Sequence, residues 1–119
     1  MERIKVLPAA KRGKMEAEWG GLTWNASEAL GNAKGLTVGQ CLLLPGQQNP
    51  RHSHPNCEEV LVVMEGTLSH TIEDGEVMLR KGDTITVPEG IPHQATNVGE
   101  GNALLFIAFS SANRETQGE

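Results

Sequence analysis

The sequence predicts an all-β fold in which two antiparallel sheets close over a pocket, and three observations carry that expectation. Short apolar segments alternate at close intervals with Gly, Pro and Asp-Gly turn signals, as in sandwiches and barrels. Those intervals leave no room for helical crossovers between strands. Two stretches also echo each other, each with a glycine, five residues and then a turn that delivers histidine, which fits a jelly roll of paired hairpins.

Taken in order, residues 3–7 read as a short edge strand ended by Pro8, and residues 9–18, rich in charge and small side chains, as a loop or one helical turn. Leu22 and Trp24 alternate within residues 20–25, which suits a strand. Residues 27–30 offer a helix cap at Ser27, but Gly31 and Gly35 enclose a segment that reads better as a loop. Residues 36–44 form the next strand, stopped by Pro45 and Gly46. The nearly continuous apolar run 58–64 is turned by Glu65-Gly66 into residues 67–73. Asp74-Gly75 is a hairpin signal leading into residues 76–80. After Gly82-Asp83 come strands at 84–87, 91–97 and 103–110, and the polar tail 113–119 is expected to fray.

A chain of 119 residues suffices for one core but not two, so a single domain over residues 1–119 is expected. Ten Lys and Arg against fifteen Asp and Glu give a net charge of −5 with no basic run, which argues against nucleic acid and anionic membrane as partners. No apolar stretch approaches the roughly 20 residues of a membrane span, and Met-Glu-Arg-Ile-Lys at the start lacks a secretory apolar segment. Cys41 and Cys57 fit no disulfide framework, so a cytoplasmic, reducing setting is expected. With two Trp, two Phe and no Tyr, the core has to be built from Val, Ile, Leu and Met.

Ligand-type side chains concentrate between Gly46 and Glu59. His52 and His54 share one side of an extended backbone, because side chains alternate with period 2. Glu59 has the opposite parity to His54, but Pro55 and Asn56 break the strand between them and let the carboxylate swing back. His93, in the turn Pro88-Glu-Gly90-Ile-Pro92-His93, supplies a fourth candidate ligand.

In this joint spacing the sequence resembles the cupins. Gly46-x5-His52-x-His54-x4-Glu59-x6-Gly66 is similar to their first motif, and Gly82-x5-Pro88-x-Gly90-x2-His93-x3-Asn97 to their second. The motifs occupy residues 46–66 and 82–97, and the flanking strands fit the same barrel. The resemblance implies a double-stranded β-helix, a conical jelly-roll barrel holding one divalent metal on His52, His54, Glu59 and His93. The six-residue gap to Gly66 favours Glu59 over its neighbour Glu58. Small single-domain cupins of this kind include sugar-acid enzymes, lyases and dioxygenases.

The ligand chemistry agrees. Three imidazoles and one carboxylate suit Mn, Fe, Ni, Cu or Zn, and an octahedral ion so held keeps two adjacent positions for water or a bidentate guest. A chelating substrate with adjacent oxygens, such as a hydroxy acid or keto sugar, is the natural guest, polarised by the metal as Lewis acid. The absence of tyrosine excludes a Cys–Tyr crosslinked site. Gly46, Gly66, Gly82 and Gly90 read as turn residues with positive φ, Pro88 and Pro92 as the frame that aims His93, and Cys57 as a small buried hydrophobe.

If Glu59 points inward, Leu61 and Val63 follow it and form a dry pocket wall for the substrate, with Arg51 placed at the barrel mouth to meet a carboxylate. The opposite face, Glu58, Val60, Val62 and Met64, is then largely apolar and calls for cover. A homodimer is the expectation, and coverage by residues 1–26 through Leu22 and Trp24 is the alternative. In residues 67–73 the apolar parity set is Leu68, His70 and Ile72, which places His70 inside as a candidate acid–base group across a small substrate from the metal. The expected function is a metal-dependent enzyme acting on a small oxygen-rich molecule by isomerase, lyase or dioxygenase chemistry. The ending Phe109-Ser-Ser-Ala-Asn-Arg114-Glu115 resembles the close of small cupins that process unsaturated uronates, which favours a sugar acid. A metal-dependent small-molecule binding or sensing module is the alternative.

Overall fold

Period-2 burial is the signature of the strands: in β3 (Thr37–Leu43) Thr37, Gly39, Cys41 and Leu43 are buried while the residues between them are half-exposed. The computed structural model describes residues 3–118; Met1, Glu2 and Glu119 lie outside the described residues. A 3-10 turn, Ala9–Lys11, precedes β1 (Gly13–Ala17) and β2 (Gly20–Ala26). After β3 come β4 (His52–Ser53), β5 (Glu59–Glu65), β6 (Thr67–Ile72) and β7 (Gly75–Arg80). β8 (Thr84–Val87), β9 (Ala95–Asn97), β10 (Ala103–Phe109) and β11 (Gln117–Gly118) complete the chain. Among the described residues no helix is long and apolar enough to cross a membrane.

One sheet runs β1-β2-β3-β10-β5-β8 and a second runs β7-β6-β9, every pairing antiparallel. Residues 47–52 extend the second sheet: Asn97 N donates to Gln47 O at 2.9 Å, Asn49 N to Ala95 O at 3.3 Å, and His52 bridges His93. The architecture is the jelly-roll barrel that the alternation and turns predict. Leu43, Leu61, Val63, Leu68, Leu105 and Ile107 fill the space between the sheets. Asn97, 1% exposed, closes the end of the barrel through bonds from its Nδ2 to Leu43 O and Gly101 O.

All four motif glycines have positive φ, and Gly66 has a second reason to be glycine. A Cβ there would stand 2.9 Å from Asn102 O and the Ala103 Cα, where β5 turns past the start of β10.

Three expectations fail in instructive ways. Residues 3–7 form no strand, and Ile4 and Val6 are 82% and 84% exposed. The sheet edge they would have joined is taken by β1, which lies inside the segment expected to be a loop. Leu22 and Trp24 do not cover the outer face either; they pair with Cys41 and Gly39 and point between the sheets. The tail does not fray over residues 113–118: β11 pairs with β4, Gln117 opposite Ser53 and Gly118 opposite His52.

Candidate metal centre

His52 and His93 are joined before any ligand is considered. Their backbones exchange two hydrogen bonds, His52 N to His93 O at 3.1 Å and His93 N to His52 O at 2.7 Å, so the two motifs are clamped face to face. The Pro88–Pro92 turn is tied to the other strand, with Gly90 N donating to His54 O at 2.9 Å. Pro55 and Asn56 form the turn that lets Glu59 return beside His54, and both side chains are buried.

Each imidazole is aimed by a backbone carbonyl. His52 Nδ1 meets Pro50 O at 2.6 Å, His54 Nδ1 meets Glu115 O at 2.9 Å and His93 Nδ1 meets Ile91 O at 2.9 Å. A carbonyl accepts and does not donate, so each Nδ1 carries the proton and each Nε2 is the atom left to face the centre. That is the outer-sphere arrangement that orients metal-binding histidines. The ligand atoms of His52, His54, Glu59 and His93 lie within 4.8 Å of one another. Such a spread fits around one ion with bonds of about 2.0–2.2 Å.

The electrostatics are those of a site made for a cation. Burial pushes the Glu59 carboxyl up, but the hydrogen bond from His93 and the closeness of the His54 and His93 rings outweigh it and hold the group at about 2. Glu59 Oε1 stands 2.9 Å from His93 Nε2, and this contact raises His93 above its ordinary value against the opposing effect of burial. His52 is lowered by burial, with the neighbouring imidazoles adding to the shift. His54 Nε2 is buried with no hydrogen-bond partner among the described residues; Glu59 Oε1 at 3.4 Å is outside hydrogen-bond geometry. A buried nitrogen lone pair without a donor is costly, and a metal ion satisfies it. The four residues fit a divalent transition metal.

A cavity of about 320 Å³ opens on this group, with His52, His54 and Glu59 in its floor. Its wall is apolar and comes largely from the hairpin β1–β2: Met15, Trp19, Leu22 and Trp24. Gly39 makes room for it, since a Cβ there would lie 2.5 Å from Trp24 Cε3. Sequence reasoning placed Trp24 in a strand but missed the hairpin. Lys14-Met15-Glu16-Ala17-Glu18 carries the period-2 signal, hidden by its charge.

The remaining expectations divide. Leu61 and the exposed Arg51 line the cavity, whereas Val63 lies in the core and does not reach it. His70 points inward and is 0% exposed, with Nδ1 bonded to Thr71 O at 2.7 Å. It does not face the metal group across a substrate, however. Its ring stacks on His93 at 5.7 Å and 14°, and neither imidazole forms the cavity wall. Cys57 is a buried hydrophobe, and burial followed by the charge of Glu59 pushes the Cys41 thiol in the wall up to about 12, so it stays protonated.

The tail, expected to fray, is instead part of the site. Asn56 brackets it, donating from Nδ2 to Asn113 O and accepting at Oδ1 from Glu115 N, both at 2.9 Å. That bracket presents the Glu115 carbonyl to His54 and brings Arg114 and Thr116 into the cavity wall.

A jelly-roll barrel with three imidazoles and a carboxylate converging inside it defines a class of metal-binding β-barrel. Residues 39–109 match the family model for the cupin domain, and the chain belongs to that family. It is 39% identical over 87 residues to a germin-like protein of Morus alba, covering 69% of this chain and 42% of that one. Against oxalate oxidase 1 of Hordeum vulgare it is 30% identical over 105 residues, covering 82% and 48%. Among solved structures, an oxalate oxidase in complex with the substrate analogue glycolate superposes with a TM-score of 0.72 at 28% identity, covering 82% of this chain and 53% of that one. The chain thus spans about half the length of the curated relatives it matches.

Proposed function

We propose that the chain is a metal-dependent enzyme acting on a small oxygen-rich acid, of the hydroxy-acid, keto-acid or sugar-acid kind. The observation that carries this reading is the convergence of three carbonyl-anchored imidazoles and a buried carboxylate, with His52, His54 and Glu59 in the floor of a cavity of about 320 Å³. Likeness to oxalate oxidases, one of them bound to glycolate, supports a substrate with adjacent oxygens. His52, His54, Glu59 and His93 would hold one ion, which supplies a Lewis acid for a carbonyl or hydroxyl oxygen. The protein's own part is to orient and to keep dry. Trp19, Leu22, Trp24 and Leu61 exclude water from one side of the bound molecule, and the Nδ1–carbonyl bonds hold the imidazoles ready. His70, stacked on His93, is assigned the support of that ligand.

Metal analysis of protein purified without added metal, paired with a screen of oxalate, 2-hydroxy acids, 2-oxo acids and uronates for isomerase, lyase and oxygen-consuming activity, tests the reading. One divalent ion per chain and turnover of one such acid are expected. Tight binding of an acid without turnover would make the chain a sensing module, and absence of metal would end the reading.

We further propose a homodimer through the outer face of the large sheet. Val60 and Val62 are half-buried there, and Met64 and Phe106 are 48% and 37% exposed. Val62→Glu should convert a dimer to monomer in size-exclusion chromatography with light scattering; a wild-type monomer at micromolar concentration would rule the dimer out.

A further inference from the structure

Arg114 occupies an unusual position for a cation. Its guanidinium carbon lies 4.4 Å from the Trp24 ring centroid and 5.1 Å from that of Phe109, in the wall of the cavity that the metal ligands floor. The two rings are 6.1 Å apart and tilted by 57°, so they cradle the guanidinium. One N–H is used: Nη1 donates to Thr116 Oγ1 at 2.7 Å. A guanidinium has five donors in a planar fork, and among the described residues no carboxylate lies within ion-pair distance of this one. A partly buried cation beside apolar walls, with a planar edge of donors to offer, is built to receive a planar anion.

Its place relative to the floor fixes what that anion belongs to. Phe109 links the two, its ring 4.9 Å from that of His54 and 5.1 Å from the guanidinium carbon, so the cation lies within about 10 Å of a ligand imidazole. A divalent ion and Arg114 together outweigh the single negative charge of Glu59, and the cavity favours a guest of net negative charge.

Resting on the metal-site reading above, we infer that Arg114 receives a distal carboxylate, so that the cavity selects acids bearing chelating oxygens at one end and a carboxylate at the other. With carbon–carbon bonds of about 1.5 Å, a chain of roughly four to six carbons bridges the two ends. Trp24 beneath the guanidinium and the cavity volume both suit a slender, extended molecule of that size.

The test uses 2-oxoglutarate and 2-oxopentanoate, which share the chelating end and differ in the distal carboxylate. Both tryptophans of the chain, Trp19 and Trp24, line the cavity, so intrinsic fluorescence reports binding, with calorimetry as a check. The metal-loaded wild type should bind 2-oxoglutarate roughly 10- to 100-fold more tightly, as one charge-assisted contact gives. Arg114→Gln should abolish that preference while leaving metal content and 2-oxopentanoate affinity unchanged, and Arg114→Lys should restore part of it. Equal binding of the two acids by wild type, or an unchanged preference in Arg114→Gln, overturns the inference. So does a loss of both affinities together in Arg114→Gln, which would make the residue a clip for the tail. Metal content is measured separately, so failure of the metal site is recognised as such. In that event succinate against butyrate reads the Arg114 contact alone, a carboxylate preference upholding it and none overturning it.

Discussion

His52 and His93 each take their backbone partner from two residues upstream, whereas His54 takes its partner from Glu115, 61 positions further along the chain. The same division runs through the whole cavity. The floor is assembled from two short segments, each aiming its ligands by local spacing and clamped to the other by the His52–His93 backbone pair. Much of the wall and rim comes from ends of the chain that meet only in the finished barrel. Local parts fix which atoms face the centre. Distant parts fix how firmly one of them is held and what the cavity admits.

The comparison breaks first if the floor is wrong. His93→Ala and His54→Ala should each weaken metal binding by at least about 100-fold, beyond the 10- to 100-fold typical of losing an outer-sphere partner. Most of the stability of the barrel should remain, because the strands pack through Leu43, Leu68 and Leu105 and not through the ligands. Metal retained after dialysis, measured by mass spectrometry, checks this; wild-type retention would move the site elsewhere.

The second effect is a dependence on pH. Glu59 sits at about 2 against an ordinary 4.5, so its contribution is present above pH 4.5 and lost as pH falls toward 2. The gap corresponds to on the order of 3 kcal/mol. His93 is raised, so its contribution is present below its ordinary 6.5 and lost as pH climbs through its folded value. In protein stripped of metal the Glu59–His93 contribution should therefore be largest between about pH 4.5 and 6.5. Because burial lowers His52 and His70, which cost stability below 6.5, it is read as the difference between wild type and His93→Gln in denaturant titrations across pH. Metal must displace the proton shared by His93 and Glu59, so it should bind more weakly on the acid side and release protons as it binds, read by calorimetry in buffers of different ionisation heat. A difference between wild type and His93→Gln that does not shrink above about pH 7 in stripped protein would contradict the Glu59–His93 pairing.

The third and smallest effect sharpens the contrast between near and far partners. Asn56→Ala removes two of the bonds that hold the tail, upstream of the β11–β4 pairing, and should lower metal affinity by about tenfold through a looser Glu115 carbonyl. Nitrogen-15 spectra of the imidazoles should show the His54 Nδ1 proton weakened and those of His52 and His93 unchanged. Equal disturbance of all three would erase the distinction between near and far partners.

This asymmetry also explains what was legible. The aim of each ligand within its own motif, the Asp74-Gly75 hairpin and the inward parity of Glu59 and Leu61 depend on neighbours in sequence, and the joint spacing of the two motifs marked which residues the barrel brings together. Val63 shares that parity and is buried, but depth along the barrel decides what reaches the cavity, and parity is blind to depth. His70 was placed inside for the right reason, yet the ring of His93 occupies the contact expected for a substrate. β1 was obscured because its alternating residues are charged and small, acquiring a strand partner only in β2. The tail looked like solvent-exposed polar chain because Asn56, His54 and Trp24, which give it order, are scattered through the sequence.

The placement of β10 between β3 and β5 at the middle of the large sheet has a consequence for how the barrel comes into being. Until residues 103–109 have been synthesised, β3 and β5 lack the strand that joins them, and the sheet exists as two separate pieces with open inner edges. Such edges are templates for pairing with other chains, and joining them by a late, sequence-distant strand is slow compared with local hairpin formation. The nascent protein is thus most vulnerable to aggregation in the interval before its last long strand emerges. Destabilising changes in β10 should lower soluble yield more than equal changes in β7.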